Sequence, residues 1–435
     1  MSRDRGAGAH LMLVLTATMA VGPLLTHSLS AMSPLVIQDL QLTETQFGLL
    51  ATTTFLVAAL TAVRTGRWAD RLTARTLLVV MFGGAALAML LTAAAPGYTV
   101  LLLAMVLSGL GQVMANPATN RLIRLHVPAA RRASWLGIKQ AGVQASQLVA
   151  GLTFPALGLL LGWRTAVLVA VGVVLLLLVH GWWTVPDNHA GTPAGRASRT
   201  ASRSGTAPRS RTRAALTSWA PLRSWAARRS RSAPAPPSRP ARPPMPGVVR
   251  AYAAAAALTG LGAQAANVYL PLYAHRELGL DVVTAGATVS VSALVGIASR
   301  VLWARVMDRP RADGFVLLAG MALGAAASAV VLILAPLHPG LGWAVWPAAV
   351  LHGGAALAVS VVVMSGAMRA VPAERVGAST GVVTMGLYGG FCAGPLVLGG
   401  LLQLTGSFAV GWAVVLAGYL ACAGLAVLVR SRARR

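Results

Sequence analysis

"TGRWADRLTART", residues 65–76, lies between two long apolar runs and carries three arginines and one aspartate. What surrounds it decides how those charges read. The chain of 435 residues is 56% hydrophobic and 11% charged, with a mean hydropathy of +0.69. A soluble domain carries about a quarter charged residues, so most of this chain is not covering a water-facing surface. It reads as a membrane protein, and the quoted stretch as a short polar turn between two membrane crossings.

Working outward from that turn, apolar runs recur. A bilayer core about 30 Å thick needs roughly 20 apolar residues per helix. Twelve such runs centre on 11–31, 46–64, 77–95, 99–120, 137–160, 164–183, 250–275, 284–303, 315–336, 342–366, 380–402 and 409–429. None alternates apolar with polar residues, which argues against a β-barrel. Helices keep every backbone group paired inside lipid. The first run is too long for a cleavable signal peptide and is followed by another. Cys392 and Cys422 both lie inside apolar runs, so no disulfide framework is expected.

Arginine sets the orientation. One side collects Arg3, Arg5, Arg64, Arg67, Arg71, Arg75, Arg121, Arg124, Arg131 and Arg132. It also takes Arg305, Arg309, Arg311, Arg369, Arg375 and the tail "RSRARR"; the other side receives Arg164 and Arg276. By the positive-inside rule the crowded side and both termini are cytoplasmic, in a multi-pass protein of the plasma membrane. The formal charge of +26 is thus largely topological, and no nucleic-acid partner is implied.

The chain divides into a six-span bundle at 1–185, a basic cytoplasmic linker at 186–247 and a second six-span bundle at 248–435. The linker is rich in Arg, Ser, Pro and Ala, a composition that predicts disorder. The flanking halves repeat each other. At an offset of 238, Asp39 aligns with Glu277, Gly48 with Gly286, Arg67 with Arg305, Asp70 with Asp308 and Arg71 with Arg309. At 244, "VPAARRASWLGIKQAG" (127–142) meets "VPAERVGASTGVVTMG" (371–386), and Gly162 meets Gly406. Six spans per repeat restore the same orientation, so the repeats are parallel.

Here the sequence resembles the major facilitator superfamily, whose loop between spans 2 and 3 has a Gly-x-Leu-Ala-Asp-Arg-x-Gly-Arg-Lys pattern. This chain reads Gly66, Arg67, Trp68, Ala69, Asp70, Arg71, Leu72, Thr73, Ala74, Arg75, departing at Trp68, Thr73 and Ala74. "ARVMDR" at 304–309 is a weaker copy. The resemblance implies an all-α fold of twelve transmembrane helices in two parallel six-helix repeats. It also implies a gate: Asp70 latches the outward-facing state against the N-terminus of span 11, with Arg121 or Arg124 as the cation. Gly66, Arg71, Arg75, Asp308 and Arg309 belong to the same gating set. A positive-inside cluster alone would account for the arginines but not for Asp70 and Asp308. Met105 stands where the family often has an arginine in span 4.

Polar side chains inside lipid are costly unless they meet protein or water. The candidates for a substrate site are His27, Gln112, Asn116, Lys139, Gln140, Gln144, Gln264, Asn267 and His352. Thr26, Gln147, Thr384 and Tyr388 share their depth. Interhelical hydrogen bonding is the competing role for each, and snorkelling the competing role for Lys139 and Arg300. Histidine titrates near neutrality, which makes His27 and His352 candidates for proton coupling. No Asp or Glu falls inside a run, so the cavity reads as neutral to positive.

The function expected is secondary transport of a small molecule by alternating access, with an anionic or neutral polar metabolite favoured and a proton or other ion as coupling candidate. A hydrophobic drug exporter of the same fold and a transporter-like sensor remain open. No Walker-type loop, nucleophile–base pair or metal-ligand cluster is present in the sequence, so neither an enzyme nor a cofactor or metal is expected. The lipid bilayer is the expected partner, and the protein a monomer.

Overall fold

The computed structural model describes residues 2–128, 131–185, 245–309, 312–338, 340–372 and 375–433. The predicted linker at 186–247 therefore falls almost wholly outside the described residues. Among the described residues twelve long helices make up the body, with a short helix Ser33–Leu40 between the first two: α1 Ser2–Ala31, α2 Glu44–Arg71, α3 Ala74–Ala93, α4 Tyr98–His126, α5 Arg132–Leu161 and α6 Trp163–Thr184. They continue as α7 Gly247–Arg276, α8 Val282–Met307, α9 Gly314–Leu334, α10 Leu341–Arg369, α11 Val376–Thr405 and α12 Phe408–Ala433. Eleven are long and apolar enough to cross a membrane; α7 is the more polar one, carrying Gln264 and Asn267.

The helices run past the apolar runs that announce them. The opening stretch is itself helical as far as Arg71, and the turn shrinks to Leu72 and Thr73. Thr73 starts α3 by accepting a hydrogen bond from the Thr76 backbone at 3.2 Å. The start of α2 is fixed by a reciprocal cap between Thr43 and Gln46, and that of α8 by Asp281, which accepts from the amides of Val283 and Thr284. Thr43 and Asp281 are 238 residues apart, the same offset read in the sequence. Gly162 and Gly406, paired at the offset of 244, hold φ of +81° and +66° in the turns α5–α6 and α11–α12. An L side chain rarely takes that conformation, which is why glycine recurs there.

Close helix approach repeats in the same way. A Cβ on Gly142 would lie 2.2 Å from the Thr16 carbonyl, closing α5 on α1. One on Gly386, its counterpart, would lie 2.2 Å from the Ala253 carbonyl, closing α11 on α7. Lipid tails are as apolar as the side chains, so packing of this kind, rather than escape from water, holds such helices together. Gly390 and Gly394 extend the α7–α11 seam one turn at a time.

Two helices are irregular. α3 contains a π turn at Val79–Gly83. α10, expected as one run over 342–366, is interrupted by a 3₁₀ turn at Ala356–Ala358 between Val345–Ala355 and Val359–Arg369. No proline lies at the break. Instead Ser299 and Trp303 of α8 donate to the carbonyls of Gly353 and Gly354, at 3.1 and 2.9 Å. Those side chains satisfy backbone oxygens near the interruption, which stabilises it.

The first six and last six helices meet along α2–α11, α5–α8 and α1–α7. Gly48 of α2 abuts the Pro395 carbonyl, and Gly286 of α8 abuts Pro155, a contact repeated in both halves.

Candidate functional site

α7 brings Asn267 to the middle of this junction. Its Oδ1 accepts from Gln147 Nε2 at 3.0 Å and lies 3.3 Å from His352 Nε2. Its Nδ2 reaches Gln264 Oε1 at 3.4 Å, and its carbonyl accepts from Ser30 Oγ at 2.6 Å. One residue of the second half is thereby tied to α1, α5 and α10. Because Oδ1 only accepts, His352 must present Nε2–H there. His27 sits on α1 with Nδ1 3.0 Å from Ser146 Oγ, whose own proton is directed at the Val143 carbonyl, 2.8 Å away. That leaves His27 Nδ1 as the donor. Both histidines are buried.

Several buried polar atoms have no hydrogen-bond partner among the described residues, among them Thr26 Oγ1, Gln112 Oε1, Gln144 Oε1, Gln264 Nε2 and Arg300 Nε. They come from α1, α4, α5, α7 and α8. An unmet buried polar atom costs about 1–3 kcal/mol; Gln264 adjoins Asn267, Thr26 shares a cavity with Val268, and Gln144 packs on Gly296 of α8, so these three mark a place for polar company at the junction of the halves. A small apolar cavity of about 10 Å³ lies beside it, lined by Thr26, Ser30, Met105 and Val268 among others.

Lys139 has a different setting. Its ammonium donates to Thr119 Oγ1 and Asn120 Oδ1 at 2.7 Å and to Asn116 Oδ1 at 3.3 Å, and the residue is 1% exposed. All three donors are occupied by neutral oxygens of α4. The lysine clamps α5 to α4 and does not offer its head to a cavity. Gln140, next along the chain, is half-buried.

The gating candidates are only partly described. The side chains of Gly66, Arg67, Asp70 and Arg71 lie outside the described residues. Arg121 Nη1 donates to the Leu72 carbonyl at 2.6 Å, tying the end of α4 to the turn after α2. The second half repeats this: Arg369 at the end of α10 donates to the Met307 carbonyl and stands 3.9 Å from the exposed carboxylate of Asp308. Arg309 is exposed. Arg75 stacks over Trp182 at 5.2 Å and reaches the Val185 carbonyl, binding α3 to α6. Arg124 is exposed, and its carbonyl accepts from Arg132.

The arginine-poor ends are held by acids. Arg276 of α7 pairs with Glu44 of α2 at 2.6 Å, and Tyr269 Oη donates to the Glu44 carbonyl at 2.6 Å. Thr45 donates to the Gly399 carbonyl and Thr52 to that of Cys392. Arg164 pairs with Asp39, which also accepts from Trp163 Nε1. The arginine holds the Asp39 carboxyl below the usual carboxylate range.

Ser146, Thr119 and Asn120, not singled out in the sequence, are direct partners of His27 and Lys139, and Gln147 is a direct partner of Asn267. Gln140, Gln144 and Gln147 do recur at helical spacing, a visible signal. Serine and threonine carry none, since they are common in membrane helices.

Known proteins agree with this architecture. A bacterial homologue of the human lysosomal transporter Spinster, solved in an inward-facing and occupied conformation, superposes with a TM-score of 0.66 at 17% identity, covering 97% of this chain and 94% of that one. The nucleoside transporter NupG gives 0.70 at 11% identity, covering 96% and 99%. The hexuronate transporter of Bacillus subtilis (strain 168) is 26% identical over 164 residues, 36% of each chain, so the match spans about a third of that relative. Residues 11–395 match the family model of the Major Facilitator Superfamily. Twelve helices in two repeated halves, a polar junction between them and that match place the chain in this superfamily, as a multi-pass membrane transporter of small molecules.

Proposed function

We propose that the protein is a secondary carrier that moves a small acidic, hydroxyl-rich metabolite by alternating access, with its arginine-rich face in the cytoplasm. The observation that carries this reading is the Asn267 network. It joins both halves, with unmet polar atoms of Gln264 and Gln144 close by and that of Arg300 about two helical turns further along α8. Amides suit sugar hydroxyls, and a site with cations and no acid favours a carboxylate. The partial likeness to a hexuronate transporter supports the same class. His27, Gln112, Asn116, Gln140, Gln144, Gln264, Asn267 and His352 line the proposed path, while Lys139 adds charge from within its cage.

The contacts between Glu44 and Arg276, Thr45 and Gly399, and Gly48 and Pro395 support a state closed on the arginine-poor side. Leaving that state requires them to break while Asp70 engages on the opposite face. The test is uptake of labelled D-glucuronate into proteoliposomes, with and without imposed pH and voltage gradients. Saturable uptake, displaced by other sugar acids, is the expected result. Transport of a permanently cationic dye in its place would overturn the reading and favour a drug exporter.

A further inference from the structure

Arg300 lies seven residues before the end of α8, about 10 Å along the helix axis. Leu294, Ala298, Val301 and Arg305 form an exposed strip on that helix, and at 3.6 residues per turn Arg300 falls on the far side from it. Its own face is the one that carries Gly286, Ser290 and Gly296. Those residues meet α5 in descending register: Gly286 against Gly151, Ser290 donating to the Leu148 carbonyl at 2.9 Å, and Gly296 closest to Leu357 of α10 and next to Gln144. One further turn sets Arg300 level with Gln140, with α5 on one side and the broken part of α10 on the other. The flanking residues Ser299 and Trp303 are the two that hold the carbonyls of Gly353 and Gly354.

Arg300 is only partly accessible. Its Nε is enclosed without a hydrogen-bond partner, and no ion pair to it occurs among the described residues. An arginine built for stability would be paired. This one has no such partner among the described residues, and its partial accessibility leaves the end of the fork within reach of a solute. We infer that Arg300 is the anchor for the acidic group of the transported solute, a carboxylate held by the guanidinium fork between α5, α8 and α10. The assignment rests on the carrier reading above and narrows it to a solute with one carboxylate, whose hydroxyls face the amides of Gln140 and Gln144. Bidentate pairing gives arginine an advantage over lysine in this role. Because Ser299 and Trp303 grip the interruption in α10 on either side of Arg300, occupation of the anchor is transmitted first to that helix.

The test uses the full chain, purified and reconstituted, with D-glucuronate and its neutral amide D-glucuronamide as paired probes. Wild type is expected to bind the acid at least tenfold more tightly than the amide. Arg300→Gln should abolish that preference by weakening the acid alone, and Arg300→Lys should restore part of it. Melting of Arg300→Gln should be equal to or above wild type, since an unpaired and partly enclosed charge has been removed. If wild type prefers the amide or treats both alike, the acidic-solute reading itself falls, and the anchor with it. If wild type prefers the acid and Arg300→Gln keeps that preference, the anchor alone is overturned. A lower melting point in Arg300→Gln that Arg300→Lys repairs, without return of the acid preference, assigns a structural role and also overturns it.

Discussion

Asn267 joins its own half to the other through one amide oxygen, accepting from Gln147 on one side and His352 on the other. Leucine in its place would keep the bulk and remove both bonds. Interhelical hydrogen bonds in membranes contribute about 0.6 kcal/mol each and at most about 1.7. Asn267→Leu is therefore expected to remain folded by size-exclusion chromatography while initial transport falls about tenfold; unchanged transport would reduce the network to packing. Lys139 leads to the opposite expectation. Lys139→Ala empties a packed site and strands the oxygens of Thr119 and Asn120, for a loss of about 2–4 kcal/mol in stability. A lower melting temperature with retained substrate affinity is the outcome to look for, and an unshifted melt would refute the clamp. At the surface, Asp39 is held below the ordinary carboxylate range chiefly by its hydrogen bond to Arg164. A depressed carboxylate contributes stability above its unfolded pKa and loses it as pH falls through the folded one. The pair is half exposed, so its contribution is below about 1 kcal/mol. Asp39→Asn should melt slightly below wild type at pH 7, and the gap should close only below about pH 4.

Helix seams give sharper contrasts. On α11, Gly390 and Gly389 are neighbours with opposite surroundings. A methyl group on Gly390 would sit 2.2 Å from the Ala257 carbonyl and 2.7 Å from the Leu261 nitrogen, whereas one on Gly389 meets nothing within 4 Å. Gly390→Ala must push α7 from α11, at a cost of about 1–3 kcal/mol. Gly389→Ala removes only backbone freedom and should stabilise by up to about 1 kcal/mol. Thermal melts of the two variants side by side check the pair, and equal shifts would contradict the seam. The interruption of α10 was illegible in the residues that form it: "HGGAALAVS" holds no proline and no charge. The cause lies on another helix, in Ser299 and Trp303, and pattern within one run cannot report it.

Across the whole molecule, span number and internal repeat were readable because each depends on features that survive in one dimension. Lipid demands runs of a certain length, and tight turns demand glycine at Gly162 and Gly406. Azimuth is what a string of letters conceals. Lys139 reads as facing substrate until α4 supplies Asn116, Thr119 and Asn120 around it, and the letters around Arg300 do not tell that it springs from the side of α8 turned away from the exposed strip. Orientation remains a matter of arginine counting, and it predicts that a single cysteine replacing Ser204 reacts with a membrane-impermeant maleimide only from the cytoplasm. Reaction from outside intact cells would invert the topology and with it the direction in which the carrier is closed.

Lys139 is the chain's lone lysine, and its ammonium is shut away behind three oxygens. A succinimidyl ester dye offered to the native protein should therefore find a single reactive amine, the α-amino group. Unfolding would release a second. One dye per molecule before denaturation and two after, read by intact mass spectrometry, would turn this scarcity into a built-in reporter: a uniquely tagged terminus for fluorescence ranging, and a dormant amine whose awakening times the parting of α4 from α5.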